Sequence, residues 1–234
     1  MNIAIIPARG GSQRIPRKNI KFFHGQPMIS WSIQTAIKTK CFDRIIVSTD
    51  DEEIANIAKN YGAEVPFLRP LHLSDNHTST GKVVQHALHW LDSNGTKPDA
   101  ICCIYATATL MRSEDLISSK HILSNHPIDY VFSATEFNFP IQRAFYINDQ
   151  EQPVMFQPEH MQTRSQDLTK AFHDAGQFYW GTADAWKFEK PIFSINSRPL
   201  LIPTYRTQDI DTHEDWLRAE MLFSLLSNEN FSKG

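Results

Sequence analysis

In residues 2–19, NIAIIPARGGSQRIPRKN, a short apolar run leads directly into a loop of glycines and cations. Residues 2–6 are rich in isoleucine and are followed by Pro7, a pattern typical of a strand buried on both faces of a sheet. The Gly-Gly pair at 10–11 lets the backbone approach a ligand closely, and free N–H groups there can form a concavity for an anion. We therefore predict a phosphate site after the first strand, with a solvated basic turn as the alternative.

The cations of this loop contrast with the composition of the whole chain. The sequence has 23 Lys and Arg against 26 Asp and Glu, which excludes the strongly basic surface typical of nucleic-acid-binding domains. The loop nevertheless contains Arg9, Arg14, Arg17 and Lys18. We interpret these four charges as a local binding site and expect no nucleic-acid partner.

Two common phosphate motifs are missing. The glycines lack the G-x-G-x-x-G spacing of dinucleotide-binding proteins, which argues against a dehydrogenase built on a Rossmann sheet. Gly81-Lys82 is followed by Val83 and has no glycine five residues before it, so it is not the phosphate loop of nucleoside triphosphatases.

Beyond the loop, apolar β-branched runs alternate with segments of helical period. The predicted order is helix 27–40, strand 43–49, helix 50–62, strand 63–68, helix 74–91, strand 99–107, a helix from 113, and strand 129–135. Such βαβ repetition predicts an α/β fold with a doubly wound, mostly parallel sheet and ligands at the carboxyl ends of its strands. The 234 residues suit a single domain, residues 1–234.

The alternation of strands and helices stops between residues 136 and 206, where aromatic, Pro and Gln residues lack helical period. We predict an insertion here with short strands of its own that carries substrate or partner contacts. After it, a strand, the capping pattern Thr212-x-x-Asp215 and an amphipathic helix are expected to close the chain.

Cysteine use and hydropathy bear on the compartment. The three cysteines are an odd number without metal spacing, and Cys102 and Cys103 should point to opposite faces of a strand. Reduced thiols in a cytoplasmic protein are the plain interpretation. No apolar run approaches the roughly 20 residues of a membrane span, and no cleavable leader is evident, so we expect no membrane partner.

The loop motif PARGGSQRIPRKN resembles that of the cytidylyltransferases that activate nonulosonic acids, the family that includes the CMP-sialate and CMP-Kdo synthetases. The likeness spans nearly the whole chain. Five later segments are similar to the members that act on pseudaminic acid: residues 45–70, 105–109 (YATAT), 139–145 (FPIQRAF), 156–168 and 173–181 (HDAGQFYWG).

The resemblance implies a nucleotidyltransferase fold and a reaction in which the anomeric 2-hydroxyl of the sugar acid attacks the α-phosphorus of CTP. The products would be the CMP-sugar and pyrophosphate, with Mg²⁺ on the triphosphate. Another nonulosonic acid, such as sialate, legionaminate or Kdo, remains the nearest alternative. A catalytically silent nucleotide-binding protein is a further one, and it would be expected to have lost Asp209 or Asp211.

Residue roles follow from the same resemblance. It implies catalytic roles for Arg9, Arg14, Lys18, Asp209 and Asp211, and CTP contacts for Ala8, Arg9, Gly10, Gly11, Ser12, Asn19 and Arg69. The family usually has Lys after the serine, where this chain has Gln13, and Arg14 could supply the lost charge.

The metal assignment has some support from spacing. Asp209 and Asp211 are two residues apart, so on an extended segment both carboxylates face one side and can share a hard cation. Solvated carboxylates before a helix start are the alternative. The resemblance places the Mg²⁺ ligands at these two positions.

For the sugar acid, Tyr105 replaces the glutamine of sialate-activating relatives, and an aromatic wall with one polar tip suits a deoxygenated, doubly N-acylated acid. Arg164 stands where relatives bind the sugar carboxylate, a role that suits a guanidinium fork. Further candidates are Gln142, His173, Asp174, Gln177 and Tyr179. The inserted segment has more aromatic residues than one pocket needs, and relatives use the matching insertion for contacts with a second subunit. Both observations predict a homodimer.

Overall fold

The computed structural model describes residues 1–227. The strands are β1 (Asn2–Pro7), β2 (Phe22–Phe23), β3 (Gln26–Pro27), β4 (Arg44–Ser48), β5 (Ala100–Ile104), β6 (Tyr130–Glu136), β7 (Phe145–Ile147), β8 (Pro153–Met155), β9 (Phe172–Thr182) and β10 (Ser197–Leu201). The α-helices are α1 (Met28–Thr39), α2 (Glu52–Asn60), α3 (Thr80–Ser93), α4 (Ser113–Asn125), α5 (Ala183–Lys187) and α6 (His213–Ser227). Short 3-10 helices cover Lys18–Ile20, Leu71–Leu73, Ile141–Arg143, Pro158–His160, Ser165–Asp167 and Thr204–Arg206.

Six strands form one central sheet in the order β10-β6-β9-β5-β1-β4. β1 pairs in parallel with β4 and β5, and β10 pairs in parallel with β6. Only β9 runs in the opposite direction within this sheet, antiparallel to both β5 and β6. The predicted α/β class and mostly parallel sheet are therefore confirmed.

Helices cover both faces of the sheet, as the apolar runs predict. On one face α1, α2 and α4 pack on the side chains that include Ile6 and Cys102. On the other face α3 and α5 pack on the side chains that include Ile5 and Cys103. The two adjacent cysteines thus point to opposite faces, as expected from the period of a strand.

α6 lies outside these two layers, against the start of the chain. Trp216 and Ala219 on this helix form a separate apolar cluster with Ile15 and Phe23. The capping pattern is confirmed, because the backbone N–H of Asp215 donates to Thr212 Oγ1 at 3.2 Å and that of Thr212 donates to an Asp215 carboxylate oxygen at 2.8 Å. The helix therefore begins directly after the Asp209–Asp211 segment.

Three predicted elements differ from the structure. Residues 63–68 make only isolated parallel bridges, through Glu64 and Leu68, and do not form a strand. Residues 74–79 are a loop, because the Asp75 carboxylate binds the backbone N–H of His77 and Thr78, a local pattern that competes with a helix. The expected strand after Pro203 is a 3-10 turn instead.

The irregular segment predicted at 136–206 is narrower in the structure, since β9 and β10 belong to the central sheet. What lies outside the sheet is residues 137–171, which contain the β7–β8 hairpin and three 3-10 turns; we call this segment the arm. Within residues 1–227, no helix is both long enough and apolar enough to cross a membrane.

Candidate active site

A cleft of about 310 Å³ opens at the carboxyl ends of β1 and β5. Its walls come from the loop after β1, which we call the glycine loop (residues 8–19), from residues 69–83, and from residues 105–107. The charged and polar side chains that line it are Arg9, Ser12, Gln13, Arg14, Lys18, Asn19, Arg69, Asp75, Asn76, Thr78, Thr80, Tyr105, Thr107 and Asp211. The position agrees with the rule for ligand sites in parallel sheets.

The glycine loop is held from behind by two adjacent carboxylates at the end of β4. The backbone N–H of Gly10 donates to Asp50 Oδ1 at 3.0 Å, so this group is not free for an anion, contrary to our expectation. A Cβ on Gly10 would lie 2.8 Å from Asp51 Oδ2, whereas one on Gly11 would meet nothing within 4 Å. Close backbone packing therefore requires glycine at position 10 only. Ala8, before it, is buried and donates its N–H to the Ser48 carbonyl.

Three of the four cations of the loop line the cleft. Arg9 Nη1 donates to the backbone carbonyl of Asp75 at 2.6 Å, which links the glycine loop to the opposite wall. Arg14 lies 2.8 Å and Lys18 3.3 Å from the Asp211 carboxylate. Arg14 and Lys18 thus meet at the Asp211 carboxylate, while Arg9 reaches the facing wall.

The fourth cation, Arg17, points away from the cleft. It has a left-handed backbone, with φ of 56°, and its guanidinium binds both carboxylate oxygens of Asp51 and pairs with Glu53. These contacts raise the pKa of Arg17, mainly through the hydrogen bond to Asp51. Arg17 therefore fastens the glycine loop to the start of α2.

Two buried side chains support the cations. Asn19 is 7% exposed and donates from Nδ2 to the backbone carbonyl of Arg9 at 3.0 Å. Arg69 is 4% exposed, binds Ser74 Oγ at 3.1 Å and lies 3.8 Å from Asp50 Oδ1. Burial lowers the pKa of Arg69, with Arg9 adding to the effect and Asp50 opposing it.

The two aspartates stand beside the cations. Asp211 lines the cleft. Asp209, two residues earlier, is exposed as a whole, but protein atoms surround part of its carboxyl group. This partial loss of water raises the pKa of Asp209, and the neighbouring Asp211 carboxylate raises it further. Among residues 1–227 no group of three or more His, Cys, Asp or Glu could hold a metal, so the two carboxylates stand as a pair.

A buried ion pair anchors the segment that carries these aspartates. The Arg206 guanidinium binds both oxygens of Asp115 at 2.6 and 3.1 Å, and both residues are at least nine-tenths buried. Gln177 Nε2 donates to the Arg206 carbonyl at 2.6 Å. Gln177 is thus buried beneath the aspartate segment and does not line the cleft.

Tyr105 adds a neutral side chain to the lining of the cleft. Its hydroxyl lies 3.2 Å from Thr80 Oγ1, and its ring packs on Tyr179 with 5.5 Å between centroids. Burial raises the pKa of Tyr105. Tyr179 lies behind Tyr105, and its hydroxyl donates to Asp174. Tyr179 and Asp174, both predicted to contact the sugar, therefore lie behind the cleft wall.

The other predicted sugar contacts lie outside the cleft of this chain. Gln142 and Arg164 belong to the arm, where Gln142 Nε2 binds the Thr169 carbonyl and Arg164 is exposed, 4.0 Å from Asp167. His173 is exposed at the start of β9 and packs on Phe137. Of the predicted contacts, the structure therefore brings Arg9, Ser12, Asn19, Arg69 and Tyr105 to the cleft, but not Ala8, the N–H of Gly10 or the arm residues.

Sequence reasoning missed one whole wall of the cleft. Residues 73–80 contribute Asp75, Asn76, Thr78 and Thr80 to the lining, although we predicted a helix over most of them. The available signal was the polar run SDNHTST before the apolar period begins, which is typical of a loop that ends in a helix cap. Ser79 is that cap.

Comparison with known proteins identifies the family. The cytidylyltransferase family model matches residues 3–233. The pseudaminic acid cytidylyltransferase of Campylobacter jejuni is 47% identical over 96% of this chain and 97% of its own length. The CMP-N,N'-diacetyllegionaminic acid synthase of Legionella pneumophila is 29% identical over 95% and 96%, respectively.

A solved structure supports the fold. The CMP:2-keto-3-deoxy-manno-octonic acid synthetase in complex with CTP superposes with a TM-score of 0.71 at 16% identity, covering 96% of this chain and 99% of that protein. The family match, the extent of the similarity and the shared fold agree with one another. The chain therefore belongs to the cytidylyltransferase family.

Proposed function

We propose that this protein transfers CMP from CTP to the anomeric 2-hydroxyl of pseudaminic acid and releases pyrophosphate. The observation that carries the proposal is the cleft, whose lining combines Arg9, Arg14 and Lys18 with Asp211 and Tyr105. The 47% identity to a pseudaminic acid cytidylyltransferase over nearly the whole chain supports the choice of sugar.

In this proposal the glycine loop binds the triphosphate. Arg9, Arg14 and Lys18 neutralise the negative charge that grows on the phosphate oxygens as the leaving pyrophosphate separates. Asn19 and Asp50 keep the loop in place through its backbone, so that the cations need not reorganise during the reaction. Arg69 adds a buried positive charge on the facing wall.

We further propose that Asp209 and Asp211 hold Mg²⁺. The pair fits such an ion, because partial loss of water, and to a lesser extent the Asp211 carboxylate, raise the pKa of Asp209, and a hard cation would stabilise its charged form. Mg²⁺ commonly uses one or two carboxylates together with substrate phosphates. When bound, it would supply charge neutralisation at the triphosphate.

The arm leads us to propose a homodimer. Arg164 and Gln142 lie on the arm, outside the cleft of their own chain, so their assignment to the sugar carboxylate fits an arrangement in which the arm reaches a second copy. Exposed aromatic side chains on the arm offer the apolar area for this contact.

The cytoplasm, where free thiols persist, is the proposed compartment for the reaction.

The test is turnover with a panel of nonulosonic acids. The protein is incubated with CTP, Mg²⁺ and pseudaminate, N-acetylneuraminate, legionaminate or Kdo, and pyrophosphate release is followed. We expect pseudaminate to be favoured at least about tenfold in kcat/KM over the others. Equal turnover of another acid would overturn the substrate, and no turnover with any acid would overturn the activity.

A matched variant tests the role of Tyr105. Tyr105→Gln introduces the side chain of the sialate-activating relatives, and we expect it to lose much of the preference for pseudaminate over N-acetylneuraminate. The KM for CTP should stay the same, since Tyr105 contacts Thr80 and Tyr179 and none of the cations of the glycine loop. An unchanged preference would make Tyr105 a packing residue.

A further inference from the structure

Asp209 and Asp211 lie on residues 207–211, a connection without regular secondary structure that we call the aspartate segment. Its downstream end is fixed to α6, because the backbone N–H of Asp211 donates to an Asp215 carboxylate oxygen at 3.2 Å and the Ile210 side chain is buried against that helix. No ladder of backbone hydrogen bonds holds a connection of this kind. Contacts with neighbouring elements therefore decide where the two carboxylates lie.

The upstream end is fixed by Arg206, three residues before Asp209. The Arg206 guanidinium binds both oxygens of Asp115 at the start of α4, at 2.6 and 3.1 Å. The Arg206 carbonyl accepts from Gln177 Nε2 of β9 at 2.6 Å. All three residues are at most 9% exposed. These hydrogen bonds hold the side chain and the main chain of one residue, so they fix the orientation of the chain that leads to Asp209 as well as its position.

Stability alone is a weak reason for this ion pair. Taking two charges out of water costs about as much free energy as their attraction returns, and apolar side chains of similar volume often stabilise a fold equally well. The cap of α4 does not need the guanidinium either, because Asp115 accepts from the backbone N–H of Arg112 at 3.2 Å. What a bidentate pair supplies and an apolar pair does not is a fixed direction.

A fixed direction matters for carboxylates that bind Mg²⁺. This ion demands nearly ideal octahedral geometry with its ligands at about 2 Å. Partners that orient the ligands from behind commonly change metal affinity by about 10–100-fold. We propose that Arg206, with Asp115 and Gln177 behind it, is a positioning residue that holds the aspartate segment in the arrangement that Mg²⁺ requires. This inference rests on the proposed function and deepens it, because it assigns the groups that orient the two carboxylates.

Calorimetry of CTP binding without a sugar acid tests this inference without turnover. The dissociation constant of CTP is measured once with excess Mg²⁺ and once with EDTA, and the ratio of the two values is the coupling between metal and nucleotide. The test variant combines Asp115→Asn with Arg206→Met. It leaves no unpaired charge in the interior, and its Asn oxygen can still accept from the N–H of Arg112.

The expected result is a loss of coupling and not of CTP binding itself. We expect the parent to bind CTP at least about tenfold more tightly with Mg²⁺ than with EDTA, and the variant to lose most of this factor. The dissociation constant in EDTA should be the same for both proteins.

The other outcomes distinguish failure of the inference from failure of the proposed function. Full coupling in the variant would overturn the inference and leave the proposed function intact. A parent without coupling would overturn the metal assignment and the inference with it. A variant that binds CTP more weakly by the same factor in Mg²⁺ and in EDTA would give Arg206 a structural role only, and the inference would be wrong.

Leu123→Ala is the matched control for loss of stability. This buried leucine lies at the far end of α4 from Asp115, and its truncation destabilises the packing of the helix while the ion pair stays in place. Its coupling should equal that of the parent. An equal loss of coupling in Leu123→Ala would attribute the effect to general loosening around α4 and would contradict a specific anchor.

Gln177→Leu is the second variant, and it decides the question if the double variant does not fold. It keeps nearly the same volume and removes the hydrogen bond to the Arg206 carbonyl, while Gln177 Oε1 has no partner within residues 1–227. We expect the coupling to fall by about two- to tenfold, which corresponds to one hydrogen bond. If only this variant folds, unchanged coupling in it would overturn the inference.

Turnover with pseudaminate gives a further measurement. In the double variant, the Mg²⁺ concentration for half-maximal turnover should rise about tenfold, while kcat at saturating Mg²⁺ stays near that of the parent. A structural role would instead lower kcat at every Mg²⁺ concentration and leave the half-maximal concentration unchanged. That result would contradict a role in positioning the metal ligands.

Discussion

The cleft and the arm differ in the environment of their side chains. In the cleft, polar and charged side chains have defined partners: the Asn19 amide binds the Arg9 carbonyl, and Arg14 and Lys18 both pair with Asp211. In the arm, large apolar side chains face outward, and Phe139 and Phe156 are 82% and 65% exposed. The cleft satisfies its groups within one chain, whereas the arm leaves apolar area uncovered.

This difference leads us to expect that the two halves of the site are completed in different ways. A charged group without a partner is costly, so one chain supplies the partners of the cations that we assign to the triphosphate. A patch of apolar side chains on the surface favours aggregation unless a second protein surface covers it. The nucleotide half is thus expected to be complete in one chain, and the arm to act on a neighbour.

The largest expected effect contrasts a carboxylate pair of the cleft with a carboxylate of the arm. Asp209→Ala combined with Asp211→Ala should lower kcat at least about a hundredfold, because the charge on the leaving pyrophosphate would lose its counter-ion. Asp149→Ala on the arm should leave turnover unchanged. Full activity of the double variant, or of the parent in excess EDTA, would remove the metal assignment.

The next prediction concerns the arm itself. We expect light scattering to give about twice the 26.9 kDa of one chain. Phe139→Ser together with Phe156→Ser should shift the protein toward monomer, because the apolar area that favours association is lost. Phe188→Ser, which changes an exposed phenylalanine outside the arm, is the control. A parent mass near that of one chain would refute the dimer and any shared site.

A smaller effect is expected within the glycine loop. Gly10→Ala should raise the KM for CTP and cost about 1–3 kcal/mol of stability, since its Cβ would press on the Asp51 carboxylate at 2.8 Å. Gly11→Ala has open space around its Cβ and should keep the stability of the parent. Thermal unfolding measures both, and equal losses in the two variants would contradict the proposed packing.

The smallest effect is a pH dependence of stability. Arg17 lowers the pKa of Asp51, chiefly through its hydrogen bonds. The ion pair therefore stabilises the fold above about pH 4, the usual carboxyl range, and this contribution is lost as the pH falls through the lowered pKa. Asp51→Asn keeps a good cap for α2 but loses the ion pair.

Urea unfolding of the parent and Asp51→Asn at several pH values provides the measurement. We expect the variant to be less stable by about 1 kcal/mol or less near pH 7, because solvent screens the partly exposed pair. The difference should shrink below about pH 4 as Asp51 takes up a proton. A difference that stays constant down to pH 2 would assign the effect to something other than the charge of Asp51.

Several parts of the molecule could be predicted because they depend on local pattern. The apolar run of β1, the period of α1 and the Thr212–Asp215 cap each specify their element from neighbouring residues. The cations of the glycine loop were likewise recognisable as a site, because they follow a buried strand in an acidic chain. The role of Arg17 was not, since its partners Asp51 and Glu53 are more than thirty residues away.

The α/β class, the position of the site after β1 and the family resemblance can be inferred from the amino-acid sequence, because they rest on periodicity and on contiguous motifs. The antiparallel position of β9 in the central sheet is visible in the fold alone, since strand order depends on pairing between distant segments. That placement puts Asp174 and Tyr179 behind Tyr105, although about seventy residues separate them along the chain. No local pattern contains such a contact, because it arises only when the strands that carry these residues lie side by side.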